Sequence, residues 1–333
     1  MTRKIDIVDA SFGYSTGKGK KILLKDIRIS AEQGETIALI GINGSGKSTF
    51  LKSMAKLLKP LSGAIFIDQK DINSFSVKEY AKISSYVSSE IVQQNWLNVY
   101  DLVALGRFPH QRISNTVTKH DEEIINKALE ITETLRLKDS NINEISDGER
   151  QKVMIARALA QDTDMILLDE PTSFLDLSNK FTIYKLLSEI ASGQNKTIVF
   201  STHDLNIALK YADKIWLIKN EKIYEGAPED LLINHVFNDI FEKKIVYFNT
   251  ETNEFSVRFE KKYPINLIQH SQQENLKNLT ESALIKKGFY TIEERAKLSI
   301  QINNDNTWTV SNGESNYTES TMYKTMKHLL NYL

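Results

Sequence analysis

Short apolar runs recur along the chain, with longer stretches of helical spacing between them. Thr36 to Ile40, Met165 to Leu168, Thr197 to Phe200 and Lys214 to Ile218 are rich in Ile, Leu and Val and bounded by polar residues, as buried strands are. Their alternation with helical patterns predicts an α/β core on a largely parallel sheet. Beyond Ser48, the residues Phe50, Leu51, Met54, Leu57 and Leu58 fall at three- and four-residue spacings, which predicts a helix running on until Pro60. Between Ser74 and Ser140 the spacing is helical, most clearly over Asp121 to Leu137. The start of the chain reads differently, as antiparallel strands over Ile5 to Val8 and Ile22 to Ser30 separated by the turn Thr16-Gly17-Lys18-Gly19.

Past Arg258 the pattern changes again. Ile265 to Ile268, Leu298 to Ile302 and the alternating Thr307-Trp308-Thr309-Val310 read as strands, and Asn275 to Gly288 and Thr321 to Leu333 as helices. This predicts a small α+β domain over residues 259–333. It is a structural or dimer-stabilising appendage on one reading and a module that senses substrate or nucleotide on another.

Composition narrows the classes. With 42 Lys and Arg against 43 Asp and Glu, the formal charge is −1, so nothing pulls the whole chain toward nucleic acid or anionic lipid, and no nucleic-acid partner is expected. There is no cysteine, which excludes disulfides, thiolate metal sites and cysteine nucleophiles and fits a reducing compartment. Met1-Thr2-Arg3-Lys4 leads into alternating Ile5-Asp6-Ile7-Val8 rather than an apolar signal core, and no window holds the roughly 18 apolar residues of a membrane span.

The chemistry lies in four short stretches. Gly41-Ile42-Asn43-Gly44-Ser45-Gly46-Lys47-Ser48 fits Gly-x-x-x-x-Gly-Lys-Ser, and it stands between a predicted strand and a predicted helix. Glycines let backbone N–H groups converge on a β-phosphate at a helix N-terminus. Lys47 supplies a point charge to the β- and γ-phosphates, and Ser48, followed by Thr49, offers a hydroxyl to Mg²⁺. The chain is therefore expected to bind ATP with Mg²⁺. Asp169 and Glu170 end the strand from Met165, and adjacent strand residues face opposite ways, so the two acids can divide the work. Asp169 is assigned to Mg²⁺ and Glu170 to the attacking water. Ser201-Thr202-His203-Asp204 follows another strand and is expected at the same sheet edge, with His203 contacting the γ-phosphate. Finally, Ser146 or Asp147 caps a helix over Lys152 to Ala160, giving a second anion-binding helix N-terminus.

Taken together, these elements resemble the nucleotide-binding subunit of ABC transporters over residues 5–247, through the phosphate loop, the Ser146 helix, the Asp169-Glu170 strand, the loop Ser173-Phe174-Leu175-Asp176 and His203. The resemblance implies an ABC-type fold: a parallel-sheet core, an antiparallel β subdomain and a helical subdomain. It also implies that Tyr14 stacks on adenine and that Ser146, Gly148 and Glu149 belong to a signature motif closing on ATP held by the other copy of a head-to-tail homodimer. The expected partners are transmembrane permease subunits and, indirectly, a periplasmic or surface substrate-binding protein. The expected location is peripheral, on the cytoplasmic face of the plasma (inner) membrane. The segment Asp101-Leu102-Val103-Ala104-Leu105-Gly106-Arg107-Phe108-Pro109-His110 is similar to importers of iron–siderophore complexes, haem and cobalamin. The alternative, a soluble ABC-type ATPase of DNA repair or translation, would call for a coiled-coil insertion or a second phosphate loop. Neither is present.

Three positions depart from the family pattern. Asp147 stands where the signature has its first glycine, and Asp tolerates positive φ. Glu149 stands in place of a glutamine, so acid collects where a phosphate is expected, with Arg150 or the Mg²⁺ to offset it. Ser89, followed by Glu90 with Gln93 close behind, replaces a glutamine that senses Mg²⁺ and touches the permease.

Overall fold

The computed structural model describes residues 3–17, 19–89, 97–111, 116–173, 175–239, 246–249, 254–270, 273–293 and 296–333. Lys18, Glu90, Gln93 and Phe174 lie outside these. The chain forms two units, Met1–Val236 and Phe237–Leu333.

In the first unit, a six-stranded sheet runs in the order Lys222–Gly226, Lys214–Lys219, Thr36–Ile40, Thr197–Thr202, Met165–Leu168, Ser84–Val87. All pairings are parallel except that of the Lys222–Gly226 edge strand. The register pairs Ile40 with Thr202 and Leu168 with Phe200, so three strands deliver their carboxyl ends side by side. In an open parallel sheet this edge is where ligands bind.

A second, four-stranded antiparallel sheet has the order Gly19–Glu32, Arg3–Thr16, Ser62–Ile67, Lys70–Asp71. One aromatic chain ties the two sheets together. Phe12 meets Phe50 edge to face at 4.9 Å, and Phe50 meets Trp216 at 5.8 Å. All three are fully buried, each removal from water contributing about 1.5–3 kcal/mol. Phe50 lies in the helix Lys47–Met54, so the one core shared by both sheets holds the helix that follows the glycine loop.

Two helices stop before the apolar pattern does. The first ends at Met54 rather than Pro60, and the second spans Lys119–Ile131 rather than reaching Leu137. In each, a non-glycine residue enters the left-handed region, Lys56 at φ 59° and Glu133 at φ 57°. The next N–H then reaches back five residues: Leu57 to the Lys52 carbonyl at 2.8 Å, Thr134 to that of Leu129 at 2.8 Å. These are Schellman stops made without glycine.

The second unit carries a five-stranded sheet ordered Phe289–Thr291, Tyr263–Gln269, Ser299–Ile302, Trp308–Ser311, Asn316–Glu319, with helices Glu274–Ile285 and Met322–Leu330. Its core gathers Ile265, Leu284, Phe289, Ile300, Val310 and Leu329. Trp308 is buried, and its indole N–H donates to Thr280 Oγ1 at 2.9 Å.

Candidate functional site

The glycine loop leaves Ile40 and turns into the helix at Lys47, with Gly44 at φ 80° and Gly46, the N-cap, at φ 104°. No side chain caps this helix, so its first N–H groups are left for a ligand. At Gly41, a Cβ would come within 2.5 Å of Ser45 Oγ and 3.0 Å of Ile218 Cβ, so only glycine allows this close turn. The Ser45 hydroxyl is buried and has no hydrogen-bond partner among the described residues. Such a loop, with an orphaned hydroxyl and uncapped N–H groups, fits phosphate oxygens.

Lys47 is only 5 % exposed. Its Nζ donates to the Gly41 carbonyl at 3.0 Å and lies 3.5 Å from Glu170 Oε1. A cavity of about 470 Å³ opens here. Asn43, Gly44, Gly46, Lys47, Ser48 and Thr49 line one side, and Glu170 and Tyr14 close others. Tyr14 OH is 2.5 Å from Thr49 Oγ1, which fixes the ring beside the loop. Lys21 and Leu23 also line the cavity. Lys21 pairs with Tyr14 across the antiparallel register, a contact with no local signal in the sequence.

Asp169 is 2 % exposed and Glu170 takes φ 46°, a left-handed turn that separates the two carboxylates immediately after the strand. One hydroxyl serves both. Ser201 Oγ donates to Asp169 Oδ1 at 2.8 Å and accepts from the Glu170 N–H at 2.8 Å. Tyr86 OH donates to Asp169 Oδ2 at 3.4 Å, and Ser173 Oγ donates to Glu170 Oε2 at 3.0 Å. Ser201 was legible in the sequence, since it follows the apolar run of the neighbouring parallel strand, but its clamp on two acids is a contact across 32 positions and is not. His203 stands exposed just past Thr202, outside the cavity lining.

No three His, Cys, Asp or Glu converge into a metal cage among the described residues. Mg²⁺ needs none, because one or two carboxylates and substrate phosphates suffice. Ser48 lines the cavity, and Asp169 lies buried next to Glu170 of its wall; a hydroxyl and a carboxylate are donors of the kind such a site uses.

The signature segment lies at the start of the helix Asp147–Ala160, with Ser146 as N-cap. Asp147 is the first helical residue and does not take positive φ, because the capping box settles the turn without it. Ser146 N and Oγ both donate to Glu149 Oε2, at 3.1 and 2.9 Å, and the Glu149 N–H returns to Ser146 Oγ at 3.3 Å. Arg136 pairs with the other carboxylate oxygen of Glu149. Hydrogen bonds from the Ser146 backbone and hydroxyl, with Arg136 behind them, hold the Glu149 pKa below the usual range. Arg150 pairs with Asp147 at 3.1 Å. Both added acids therefore have their own arginine, and Arg136, between Leu135 and Leu137, gave no sign of this. A Cβ on Gly148 would press on the Asn179 side chain at 3.0–3.1 Å. Ser89 is exposed, two residues past the edge strand Ser84–Val87.

A family model for ABC transporters matches residues 24–173. A probable siderophore transport system ATP-binding protein of Bacillus subtilis is 37% identical over 228 residues, 68% of this chain and 83% of that protein. Among solved structures, a putative metal-chelate type ABC transporter in an inward-facing conformation superposes with a TM-score of 0.64 at 26% identity, covering 77% of this chain and 96% of that one. A dimeric ATP-binding cassette in a post-hydrolysis state with ADP and phosphate gives 0.59 at 27% identity, covering 67% and 98%. Among the described residues no helix is long and apolar enough to cross a membrane.

Proposed function

Because this chain belongs to the ATP-binding subunits of ABC transporters, we propose that it works as a head-to-tail homodimer on a transmembrane permease and powers uptake of an iron–siderophore, haem or cobalamin-like substrate. It is an ATPase of a transporter and not a repair or translation factor. The observation that carries the reading is the convergence of Lys47, Ser48 and Glu170 on one cavity, with Asp169 held behind it.

The glycine loop binds the β-phosphate, and Lys47 neutralises the β- and γ-oxygens. Ser48 and Asp169 would hold a Mg²⁺ ion, which would supply charge compensation on the phosphates. Glu170 orients and polarises the attacking water, with its carboxylate aimed by Ser173 and its backbone by Ser201. His203 contributes a γ-phosphate contact in the closed dimer, and Ser146, Gly148 and Glu149 reach the nucleotide of the other copy. Leu57, Val77, Leu105 and Phe108, each more than half exposed, offer apolar surface to the permease at the cytoplasmic face. A relative with a siderophore-transport name and the metal-chelate transporter structure support the choice of cargo class. Purifying the tagged chain with its membrane partner, and asking which of ferric siderophore, haem or cobalamin on its binding protein stimulates ATP hydrolysis, tests the cargo. Stimulation by none of the three overturns it.

Two variants probe the site's supports. Ser201→Ala removes the donor that orients Asp169, so the Mg²⁺ concentration for half-maximal ATPase is expected to rise about 10- to 100-fold, as read from a Mg²⁺ titration. Arg136→Ala leaves the Glu149 charge facing phosphate, so ATP-induced dimerisation is expected to weaken about fivefold. Adding Glu149→Gln to that variant removes the charge and should restore the dimer on size exclusion.

A further inference from the structure

In the second unit a cavity of about 390 Å³ opens between the end of the helix Glu274–Ile285 and the helix Met322–Leu330. Ala283, Met322, Met326 and Leu330 give it apolar walls, and Tyr323, 80% exposed, stands at its rim. Among the described residues its charged lining is lysine alone, Lys286, Lys287 and Lys327. These are exposed, and none has a carboxylate partner among the described residues, whereas the neighbouring Lys324 lies 4.0 Å from Glu319 and Lys262 is 2.9 Å from Glu260. Among the described residues no acid lines the cavity.

Volume, walls and charge point to one kind of occupant. The volume is within the range of small-molecule sites, roughly 300–1,000 Å³. Two methionines give walls that adapt to an irregular apolar body. Lysine stems extend those walls while their ammonium groups gather at the mouth, an arrangement complementary to an acid headgroup on an apolar tail. We propose that this groove binds a soluble amphiphilic carboxylate, with its apolar body between the helices and its carboxylate among Lys286, Lys287 and Lys327. The concave volume favours such a molecule over a flat lipid surface. It shares no described lining residue with the ATP cavity, whose described lining residues all belong to the first unit.

The test uses the full chain and sodium decanoate below its micellar concentration, followed by isothermal titration calorimetry. Saturable one-to-one binding is expected, with decanol weaker on the order of tenfold. Lys286→Glu with Lys327→Glu should lose decanoate binding and keep ATP binding, and Lys286→Gln with Lys327→Gln should weaken it by an intermediate amount. Four results overturn the proposal: no saturable binding; decanol equal to decanoate; binding indifferent to both lysine pairs; or self-association or flotation with anionic vesicles that depends on this face while decanoate does not bind.

Discussion

Glu170→Gln is expected to cut ATP hydrolysis by about 10²- to 10⁴-fold while leaving ATP binding intact and trapping an ATP-bound dimer. The side chain keeps its shape, so the Ser173 hydroxyl can still donate to the remaining carbonyl oxygen, and the backbone bond from Glu170 N–H to Ser201 is untouched. What goes is the charge that polarises water. Binding should not suffer, because the carboxylate 3.5 Å from Lys47 Nζ competes with the triphosphate for that ammonium, and glutamine competes less. The measurement pairs phosphate release with size exclusion in ATP. Turnover at the unsubstituted rate would remove Glu170 from its role, and loss of ATP binding would mean that it holds the nucleotide instead.

Much of this site was legible in the residues because its signals are local. The strand from Thr36, the glycine loop and the helix from Lys47 are contiguous, and each carries its own pattern. The strand from Met165 ends at Leu168, where the apolar run does. What was not legible depends on contacts between distant segments or on backbone bonds without a compositional mark. Lys56 and Glu133 end helices in the left-handed region, although neither residue type advertises it. Ser201 clamps two acids from another strand, and Arg136 neutralises a glutamate on a different helix. In the signature segment the acids looked like a liability to be offset by Arg150 or Mg²⁺. Arg150 takes Asp147, and the larger part of the answer for Glu149 is the Ser146 cap itself.

The second large effect concerns stability. Arg107→Ala is expected to destabilise the first unit by about 3–5 kcal/mol, measured by urea unfolding. Arg107 is 3% exposed and donates from Nε to Asp121 Oδ1 at 2.8 Å and from Nη1 to the Ala160 carbonyl at 2.9 Å. It thus joins the first turn of the helix Lys119–Ile131 to the last residue of the signature helix Asp147–Ala160. Without it, Asp121, itself 7% exposed, is a buried carboxylate short of its cation, and a helix-end carbonyl loses its donor. Burial alone pushes the Asp121 carboxyl up, but the Thr118 hydroxyl, Arg107 and the Thr118 backbone N–H together bring it down to about 2 from the ordinary 3.8. A depressed folded value means that the ionised form is the stabilising one. Its contribution is complete above pH 3.8 and fades as the pH falls toward 2. The Arg107→Ala penalty should therefore be full at neutral pH and shrink across that acid window, since a protonated Asp121 no longer needs the guanidinium. A penalty that does not change with pH would assign the effect to lost packing. Because this pair fixes the far end of the signature helix, the variant should also weaken ATP-driven dimerisation at neutral pH, with every residue of the phosphate loop unchanged.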